Sequence, residues 1–454
     1  MARKKSLWCY FFLVVLKETS ASVECSFIDA QEIILMCIPV GVPDVILKLE
    51  SLPLNGYTEM VLLRACGITE LEHDSLKKTS LKYIDLSENR LKELDSDSLH
   101  NSPSLAYLNI SNNLLSRLPV DLFVGNPHLL VLDLKNNFLG NLDVGVFDSL
   151  VQLHTLDLSW NLLLGKDLSS LLFVNNKYIT YLSFAGNDMN GTPDSLLQSL
   201  EVLEVLDLNS CGITEVAKFA TQSNLKTIKE LNLSSNKISK LVNEEIFKNL
   251  HNLEILNLAH NELEHIDENV VAPLRNLKVF NLSHNELTYL SDNLFRRMLS
   301  LENIDLSHNL ISKVEVEMFL NNPLKILNLS FNMFTFLPNT FSMSLRKPNA
   351  NITEFYFHQN PWQCACLKEI LYEVDHLKVT HKTDVPGYMR PICVTSLEMR
   401  CIRDDSVNDV FRNMYYNILD GNRIWNTIRD SSNRCLKPRL HTAHFRAVSK
   451  EVGR

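Results

Sequence analysis

Apolar residues recur along the chain in a frame that repeats mostly every 24 residues. In Leu81–Leu91 the apolar positions lie eight, five and three residues before Asn89 and two after it. The same frame returns around Asn261. Within it, the alternation of Ile84 and Leu86 has a period of two, which predicts a short strand with one buried face. Self-similarity at this period predicts a solenoid of stacked coils, each too small to close a core alone.

Each frame carries one polar position, here called the ladder position, that we expect to turn inward. Its side chain can bond backbone groups of the adjacent coil that would otherwise lack partners. The ladder residues are spaced by 23 to 28 residues and are Cys66, Asn89, Asn113, Asn137, Asn161, Asn187, Cys211, Asn236, Asn261, Asn285, Asn309, Asn332 and Asn360. At about 4.8 Å per strand, these coils predict a concave sheet on the order of 60 Å long.

A second apolar position follows each ladder residue after about ten residues and is expected to pack on the convex side. It is occupied by Leu99, Phe123, Phe147, Phe247, Phe295 and Phe319. Cys66 and Cys211 are interpreted as buried thiols rather than a disulfide. They lie about 29 Å apart along the stack, whereas bridged Cα atoms stay within about 7 Å.

The N-terminus has the pattern of a secretory signal. A basic start of Arg3, Lys4 and Lys5 precedes a short apolar run, and small residues at 20–22 suit cleavage before Val23. An uncleaved membrane anchor is the alternative, but the run is short for a bilayer. Removal of residues 1–22 would change the net charge from −9 to −12, which disfavours nucleic acid as a partner. No later stretch predicts a membrane span.

The remaining cysteines suggest an oxidising compartment. Cys25 and Cys37 flank a short segment before the first frame, where a disulfide hairpin would cap the exposed core. Cys364, Cys366, Cys393 and Cys401 follow the last frame, and four cysteines allow three pairings. A zinc site is the rival interpretation of this C-terminal cluster. Cys435 is left over, which suggests an intermolecular disulfide, either in a disulfide-linked dimer or to a partner protein. The alternative is a thiol packed on the cap or paired with another cysteine of this chain.

These motifs resemble a known group of proteins. The frame Leu-x-x-Leu-x-Leu-x-x-Asn-x-Leu resembles the typical extracellular class of leucine-rich repeat. The segment Asn360-Pro-Trp-Gln-Cys364-Ala-Cys366 resembles the C-terminal cysteine cap of Toll-type, Slit-type and insect secreted repeat proteins. The resemblance covers about residues 25–401 and implies an α/β repeat solenoid, a horseshoe with a parallel concave β-sheet and disulfide caps. By analogy it also implies the bridges Cys364–Cys393 and Cys366–Cys401.

The chain departs from that group in two ways. Its front cap has two cysteines where four are common, and the interval from Cys393 to Cys401 is shorter than usual. No cytoplasmic signalling domain follows, so a Toll-like receptor role is not expected. The predicted organisation is a signal peptide at 1–22, an N-terminal cysteine cap at 23–57, repeats at 58–359, a C-terminal cysteine cap at 360–401, and a helical, then basic tail at 402–454.

Residues between the buried strand positions should face the concave side. In the N-terminal half these are acids beside tyrosines, a combination suited to a protein or glycan partner with some basic character. Asp and Asn are also routine at such solvated positions, so repeat variation is the alternative. The candidate binding residues are Tyr83, Asp85, Tyr107, Asp133, Asp157, Tyr181 and Asp207.

Six Asn-x-Ser/Thr sequons predict glycosylation. Four lie on predicted strands and two in loops: Asn109, Asn232, Asn281 and Asn328, then Asn190 and Asn351. Sugars at 232, 281 and 328 would crowd the C-terminal half of the concave face, although strand sequons can also arise from the repeat itself. His260, His284 and His308 precede the ladder residue in successive frames. We interpret them as variation at an exposed position, with acid-dependent repulsion as the alternative.

After Cys401 the repeat stops. Apolar spacing predicts a helix ending near Gly421 and a second short one over Ile424–Ile428, either docked on the solenoid end or self-associating. No phosphate loop or hydrolase motif occurs, so neither an enzyme nor a cofactor is predicted. The sequence predicts a secreted, extracellular recognition protein that binds through the concave or lateral face of the solenoid, with a role in innate immunity or extracellular signalling. A structural matrix or cell-adhesion component is the alternative.

Overall fold

The computed structural model describes residues 21–29, 31, 33–41, 47–49, 52, 54–71, 76, 80–346, 352–381, 393–395 and 400–430. Most of the predicted signal peptide, the sequon at Asn351, Cys435 and the basic tail from Arg434 lie outside these residues.

One 15-stranded sheet runs through the described chain. Its first two strands pair antiparallel, and every later neighbour pairs in parallel. This confirms the parallel solenoid predicted from the repeating frame. The strands of this sheet are β1 (Ala21–Phe27), β2 (Ile34–Gly41), β4 (Met60–Leu62), β6 (Tyr83–Asp85), β7 (Tyr107–Asn109), β8 (Val131–Asp133), β9 (Thr155–Asp157), β10 (Tyr181–Ser183), β11 (Val205–Asp207), β12 (Glu230–Asn232), β14 (Ile255–Asn257), β16 (Val279–Asn281), β17 (Asn303–Asp305), β18 (Ile326–Asn328) and β19 (Glu354–Tyr356).

Short elements and turns form the rest of each coil. Two small parallel sheets pair β3 (Leu47–Leu49) with β5 (Ile68–Leu71), and β13 (Lys240–Leu241) with β15 (His265–Ile266). The α-helices are α1 (Glu268–Val271), α2 (Phe341–Ser344), α3 (Cys364–Leu377) and α4 (Asn408–Asp430). Turns of 3₁₀-helix span Gly165–Asp167, Lys218–Ala220, Ser223–Leu225, Val316–Met318 and Asp405–Val407.

The ladder residues bond neighbouring coils together inside the solenoid. Asn137 is typical: its Nδ2 donates to the carbonyls of Ile110 at 3.0 Å and Leu134 at 3.0 Å. Its Oδ1 accepts the backbone N–H of Leu115 at 3.1 Å. One amide side chain thus satisfies backbone groups of its own coil and of the preceding one, in an interior where unpaired groups are costly.

Two ladder positions hold free cysteines instead. The Cys211 thiol donates to the Phe184 carbonyl at 3.3 Å, and the Cys66 thiol donates to the Cys37 carbonyl at 3.3 Å. Burial raises the pKa of Cys66 to about 11 and that of Cys211 to about 12. Both sulfurs therefore stay protonated in the fold and replace one of the hydrogen bonds that asparagine would make.

The convex side has its own asparagine row, which the sequence frame did not predict. Asn126, Asn176 and Asn322 each follow a core phenylalanine by three residues and donate to two carbonyls of the preceding coil. The phenylalanines stack beside them, with 6.3 Å between the ring centroids of Phe123 and Phe147. In these three coils, both sides are therefore fixed to the preceding coil by the same combination of packing and amide bonding.

Disulfides lie at both ends of the described solenoid. Cys25 is bonded to Cys37 across the β1–β2 hairpin, and β2 pairs directly with β4, so this hairpin covers the first coil. At the other end Cys364 is bonded to Cys393, and Cys366 to Cys401. Trp362 is fully buried there, and its Nε1–H donates to the Phe357 carbonyl at 2.9 Å.

The tail forms one helix, α4, so the prediction of two helices separated at Gly421 is wrong. A glycine inside a helix costs about 1 kcal/mol relative to alanine, which weakens a helix without ending it. The helix is anchored at its start, where Phe411 and Tyr415 are buried and pack with Val394 of the cap. The docked start of α4 agrees with the prediction that the tail covers the end of the solenoid.

Candidate binding surface

The concave face is set by strands of three residues. In nearly every strand the central residue is fully buried, and the residues on either side are half-buried and face the concave surface. Parallel pairing in register puts equivalent residues of adjacent coils next to one another, such as Tyr83 beside Tyr107 and Asp133 beside Asp157. The candidate residues on β6–β11 therefore share one surface, here called the N-terminal concave face.

Two tyrosines begin this face. The rings of Tyr83 and Tyr107 stack with their centroids 4.3 Å apart and their planes only 5° apart. Burial, with smaller contributions from the neighbouring Tyr107 hydroxyl and the Asp85 charge, raises the pKa of Tyr83 to about 12. Both rings are held in place before any partner arrives, which lowers the entropy lost when they are buried by binding.

The aspartates have a structural role as well as a charge. Oδ1 of Asp133, Asp157 and Asp207 each accepts the backbone N–H two residues later, at 2.8 to 3.0 Å. Asp85 makes the same bond to the N–H of Ser87 at 2.9 Å. This local turn explains why Asp and Asn both recur at this position. The turn does not use the second carboxylate oxygen, Oδ2.

Within the described part of the chain, the negative charge on this face is not balanced by ion pairs. Among the described residues, no salt bridge involves Asp133, Asp157 or Asp207. Burial raises the pKa of Asp133, the N–H of Lys135 lowers it, and the Asp157 carboxylate raises it again. Burial likewise raises the pKa of Tyr181, as do the charges of Asp157 and Asp207 on the strands beside it. A cationic group placed here would relieve this mutual repulsion.

Four sequon asparagines use the same turn. Oδ1 of Asn109, Asn232, Asn281 and Asn328 accepts the N–H of the sequon serine at 2.9 to 3.1 Å. The last three lie on β12, β16 and β18, every second strand of the sheet. Asn190 differs, because its Nδ2 donates to the Asp188 carboxylate at 2.8 Å and to the Gly212 carbonyl at 2.9 Å.

Three histidines form a ring stack at the edge of the C-terminal half. His260 lies on His284, which lies on His308, and Phe331 extends the stack, with ring centroids 3.9 to 4.0 Å apart. All four have a positive φ of 55° or 56°, because the repeat requires a left-handed residue before each ladder position. The centroid spacing is closer than the strand separation of about 4.8 Å, and the ring planes are only 11° to 13° apart.

The described residues give no support to a metal centre. No group of three or more His, Cys, Asp or Glu among them is arranged to hold a metal ion. The four C-terminal cap cysteines that could have formed a zinc site are instead joined in disulfides. Within the described chain, none of the helices combines the length and hydrophobicity needed to cross a bilayer.

Comparison with known proteins agrees with this architecture. The sequence profile of the leucine rich repeat family matches residues 58–115, 103–163, 201–262, 227–287 and 264–311. No curated protein sequence matches the chain. The chain therefore carries leucine-rich repeats in both halves of the solenoid.

Solved structures share the fold at low identity. A leucine-rich repeat protein of Leptospira interrogans aligns with a TM-score of 0.55 at 23% identity, over 75% of this chain and 96% of that one. The leucine-rich repeat domain of APL1B aligns with a TM-score of 0.54 at 20% identity, over 77% and 94%. Toll in the Toll–Spatzle complex of Drosophila gives 0.51 at 23% identity, over 70% of this chain but only 49% of the Toll chain. At these identities the likeness shows the fold alone.

Proposed function

We propose that this leucine-rich repeat solenoid is a secreted recognition protein without catalytic activity, which binds a protein or glycan of basic character on its N-terminal concave face. The observation that carries the proposal is the combination, on one surface, of the stacked Tyr83–Tyr107 pair with the carboxylates of Asp133, Asp157 and Asp207, which form no salt bridge among the described residues. Rigid aromatic rings and uncompensated charge are features of binding surfaces, because both gain free energy when a partner covers them.

Glycosylation supports this choice of surface. We propose that Asn190, Asn232, Asn281, Asn328 and Asn351 are the modified asparagines, and that Asn109 on β7, which lies inside the N-terminal concave face, is a strand sequon that stays unmodified. Sugars on Asn232, Asn281 and Asn328 would project at about 10 Å intervals, the separation of alternate strands. They would occupy the C-terminal half of the concave face and leave β8–β11 accessible. The Oδ1 turn bonds at these asparagines survive modification, since the sugar is attached to Nδ2.

The setting we propose is extracellular. Three disulfides hold the two caps, and such bonds persist in oxidising compartments. Among proteins of this fold, Toll is described with Spatzle as a hub of Drosophila development and innate immunity. We extend the same kind of role, recognition in immunity or extracellular signalling, to this chain as a proposal.

Removing the concave features should abolish partner capture. The variant carries Tyr83→Ala, Tyr107→Ala, Asp133→Asn and Asp207→Asn. Asparagine keeps the Oδ1 acceptor, as Asn257 does for Ala259 N–H at 3.1 Å, and neither change creates a sequon. We expect proteins retained from extracellular fluid by the mature chain to fall about tenfold or more, as for loss of interface hot spots. Quantitative mass spectrometry of the retained fraction measures this.

The matched control changes Ile255 and Ile326 to alanine, at the same column of the C-terminal half. This control should retain its partners at the wild-type level. Equal retention by the wild type and the four-residue variant would contradict the proposal.

A covalent dimer is a further part of the proposal. Along α4, beside the docked Phe411 and Tyr415, Val410, Met414 and Ile418 are exposed at successive four-residue intervals, and Cys435 follows the helix by five residues. We expect the mature chain to run at twice its monomer mass on a non-reducing gel. Reductant or Cys435→Ser should return it to the monomer. A wild-type monomer band that does not respond to reductant would rule out the dimer.

A further inference from the structure

Exposed apolar side chains are concentrated in one part of the solenoid. Between residues 114 and 202, fourteen large apolar side chains are exposed, against three between residues 203 and 340. Both segments consist of similar coils and are fully described, so the difference is one of surface and not of repeat geometry. Apolar area concentrated in this way on a soluble protein marks an interaction site.

The most ordered part of this surface lies on the lateral edge just after the ladder residues. Leu114, Phe138 and Leu162 each follow a ladder asparagine, and their exposed fractions are 36%, 49% and 58%. Their backbone N–H groups each donate to the preceding coil at 2.8 to 2.9 Å, which stacks the three side chains in consecutive coils. Trp160 and Leu164, exposed at 49% and 37%, lie one residue before and three residues after the ladder residue Asn161, and the five side chains together are here called the lateral stripe.

Trp160 is the anchor of the lateral stripe. It occupies the left-handed position before the ladder residue, with φ of 55°, yet 49% of its surface is exposed. Its indole lies against Gly186 of the next coil, where an added Cβ would be 2.6 Å from Trp160 Cδ2. Elsewhere the described chain has smaller or polar residues at this position, such as Ser210 and Ser235, apart from the stacked rings farther along. A large ring held rigidly and half-exposed is the profile of a binding hot spot.

The surroundings of the lateral stripe indicate what covers it. Residues 114–202 contain nine acidic and four basic residues, and one of the basic ones, Arg117, faces Glu93 at 3.8 Å. The backbone of Asp188 pairs with that of Leu164 in an isolated parallel β-bridge, at the border of the stripe. No sequon occurs between Asn109 and Asn190, so this apolar area lies in a stretch without predicted sugars. The complementary partner has apolar side chains bordered by positive charge.

We propose that the lateral stripe is a second docking surface, which binds a protein segment whose apolar side chains are bordered by lysine and arginine. It is separate from the N-terminal concave face, because the stripe residues lie from one position before the ladder residue to three after it, whereas the concave residues lie four and six positions before it. A partner could therefore occupy the stripe while the concave face is free or filled.

The test uses the full mature chain and a synthetic helical peptide with leucines on one face and lysines on the other. The variant carries Trp160→Ser and Leu162→Lys. Both residues suit their positions, since Ser235 and Lys237 occupy the same positions around Asn236. We expect the peptide affinity, measured by fluorescence anisotropy, to fall at least tenfold. Gly186→Ala, which keeps the indole but displaces it, should weaken binding severalfold.

Two controls separate this site from the rest of the molecule. His260→Ser with Glu262→Lys makes the equivalent changes one half-solenoid away and should leave peptide binding unchanged. Tyr83→Ala with Tyr107→Ala should also leave it unchanged, so that failure of the concave proposal is recognised separately. Circular dichroism melting verifies that each variant is folded.

Three results would overturn the inference. The Trp160→Ser, Leu162→Lys variant could bind the lysine peptide as well as the wild type does. A matching leucine–glutamate peptide could bind equally well, which would remove the charge complementarity. Light scattering could show a wild-type dimer that Leu162→Lys dissociates, in which case the stripe is covered by a second copy of this chain.

Discussion

Asn161→Leu is expected to lower the free energy of unfolding by about 4 kcal/mol, because it leaves several buried backbone groups without partners at once. Nδ2 of Asn161 donates to the carbonyls of Leu134 at 3.1 Å and Leu158 at 3.0 Å, and Oδ1 accepts the N–H of Leu139 at 3.1 Å. Leucine fills the volume and replaces none of these bonds. Equilibrium denaturation followed by circular dichroism measures the loss.

The same substitution should also divide the unfolding transition. Each coil of a solenoid is stabilised mainly by its neighbours, so a weak central interface uncouples the two halves. Asn161→Cys is the matched control, since Cys211 occupies a ladder position and still donates to a carbonyl. It should be clearly less damaging than leucine. Equal stability of the leucine and cysteine variants would show that the ladder bonds contribute little.

Cys366→Ser with Cys401→Ser is the second change with a large expected effect. The bridge closes a loop with a sequence separation of 35, for which chain entropy predicts a loss of about 3–4 kcal/mol. The loss should fall on the C-terminal cap and on α4, which begins seven residues after Cys401. Differential scanning calorimetry should show an early transition of small enthalpy, followed by melting of the repeats.

The Cys364–Cys393 bridge and two hydrogen bonds of Gln363 would still hold the cap after this change. Nε2 of Gln363 donates to the Ile402 carbonyl at 2.8 Å, and Oε1 of Gln363 accepts the backbone N–H of Ile402 at 3.0 Å. Cys66→Ala is the control variant, because it removes a cysteine sulfur that forms no disulfide. It should leave the C-terminal transition where it is in the wild type. A double-serine variant that melts as one unit at the wild-type temperature would contradict the expected role of the bridge.

The fold could be predicted from the sequence because every coil repeats the same environment. The requirement that Ile84, Leu108 and Leu132 be buried is written into the 24-residue frame, and so is the inward amide. Which residues face the concave side follows from the alternation within three-residue strands. These are local rules, and they act identically at each repeat.

The binding surfaces depend on relations between coils that a single frame does not contain. The frame indicated that Tyr83 and Tyr107 are neighbours, but not that their rings stack. It gave no weight to Trp160 or Leu162, because the exposure of the residues on either side of the ladder position depends on the adjacent coil. For Trp160, the neighbouring residue in that coil is Gly186. Comparison of the same position across coils would have revealed the run Leu114, Phe138 and Leu162.

The tail was harder to predict for a different reason. Gly421 was interpreted as a helix end, yet α4 continues to Asp430. Local propensity is a weak guide when neighbouring residues favour the helix and packing holds its first turns. The convex asparagines were missed because their partners, such as the carbonyls of Phe147 and Leu150, lie in another coil.

The turn that begins at the concave aspartates has an evolutionary consequence. Asp85, Asp157 and Asp305 are each followed by leucine and then serine, so one Asp-to-Asn replacement would turn an acidic site into a sugar acceptor. The codons for the two residues differ by a single nucleotide, and the backbone bond is kept in either case. A lineage carrying this chain could thus alternate between charge and carbohydrate at chosen points, and so change its ligands without first having to stabilise a new fold.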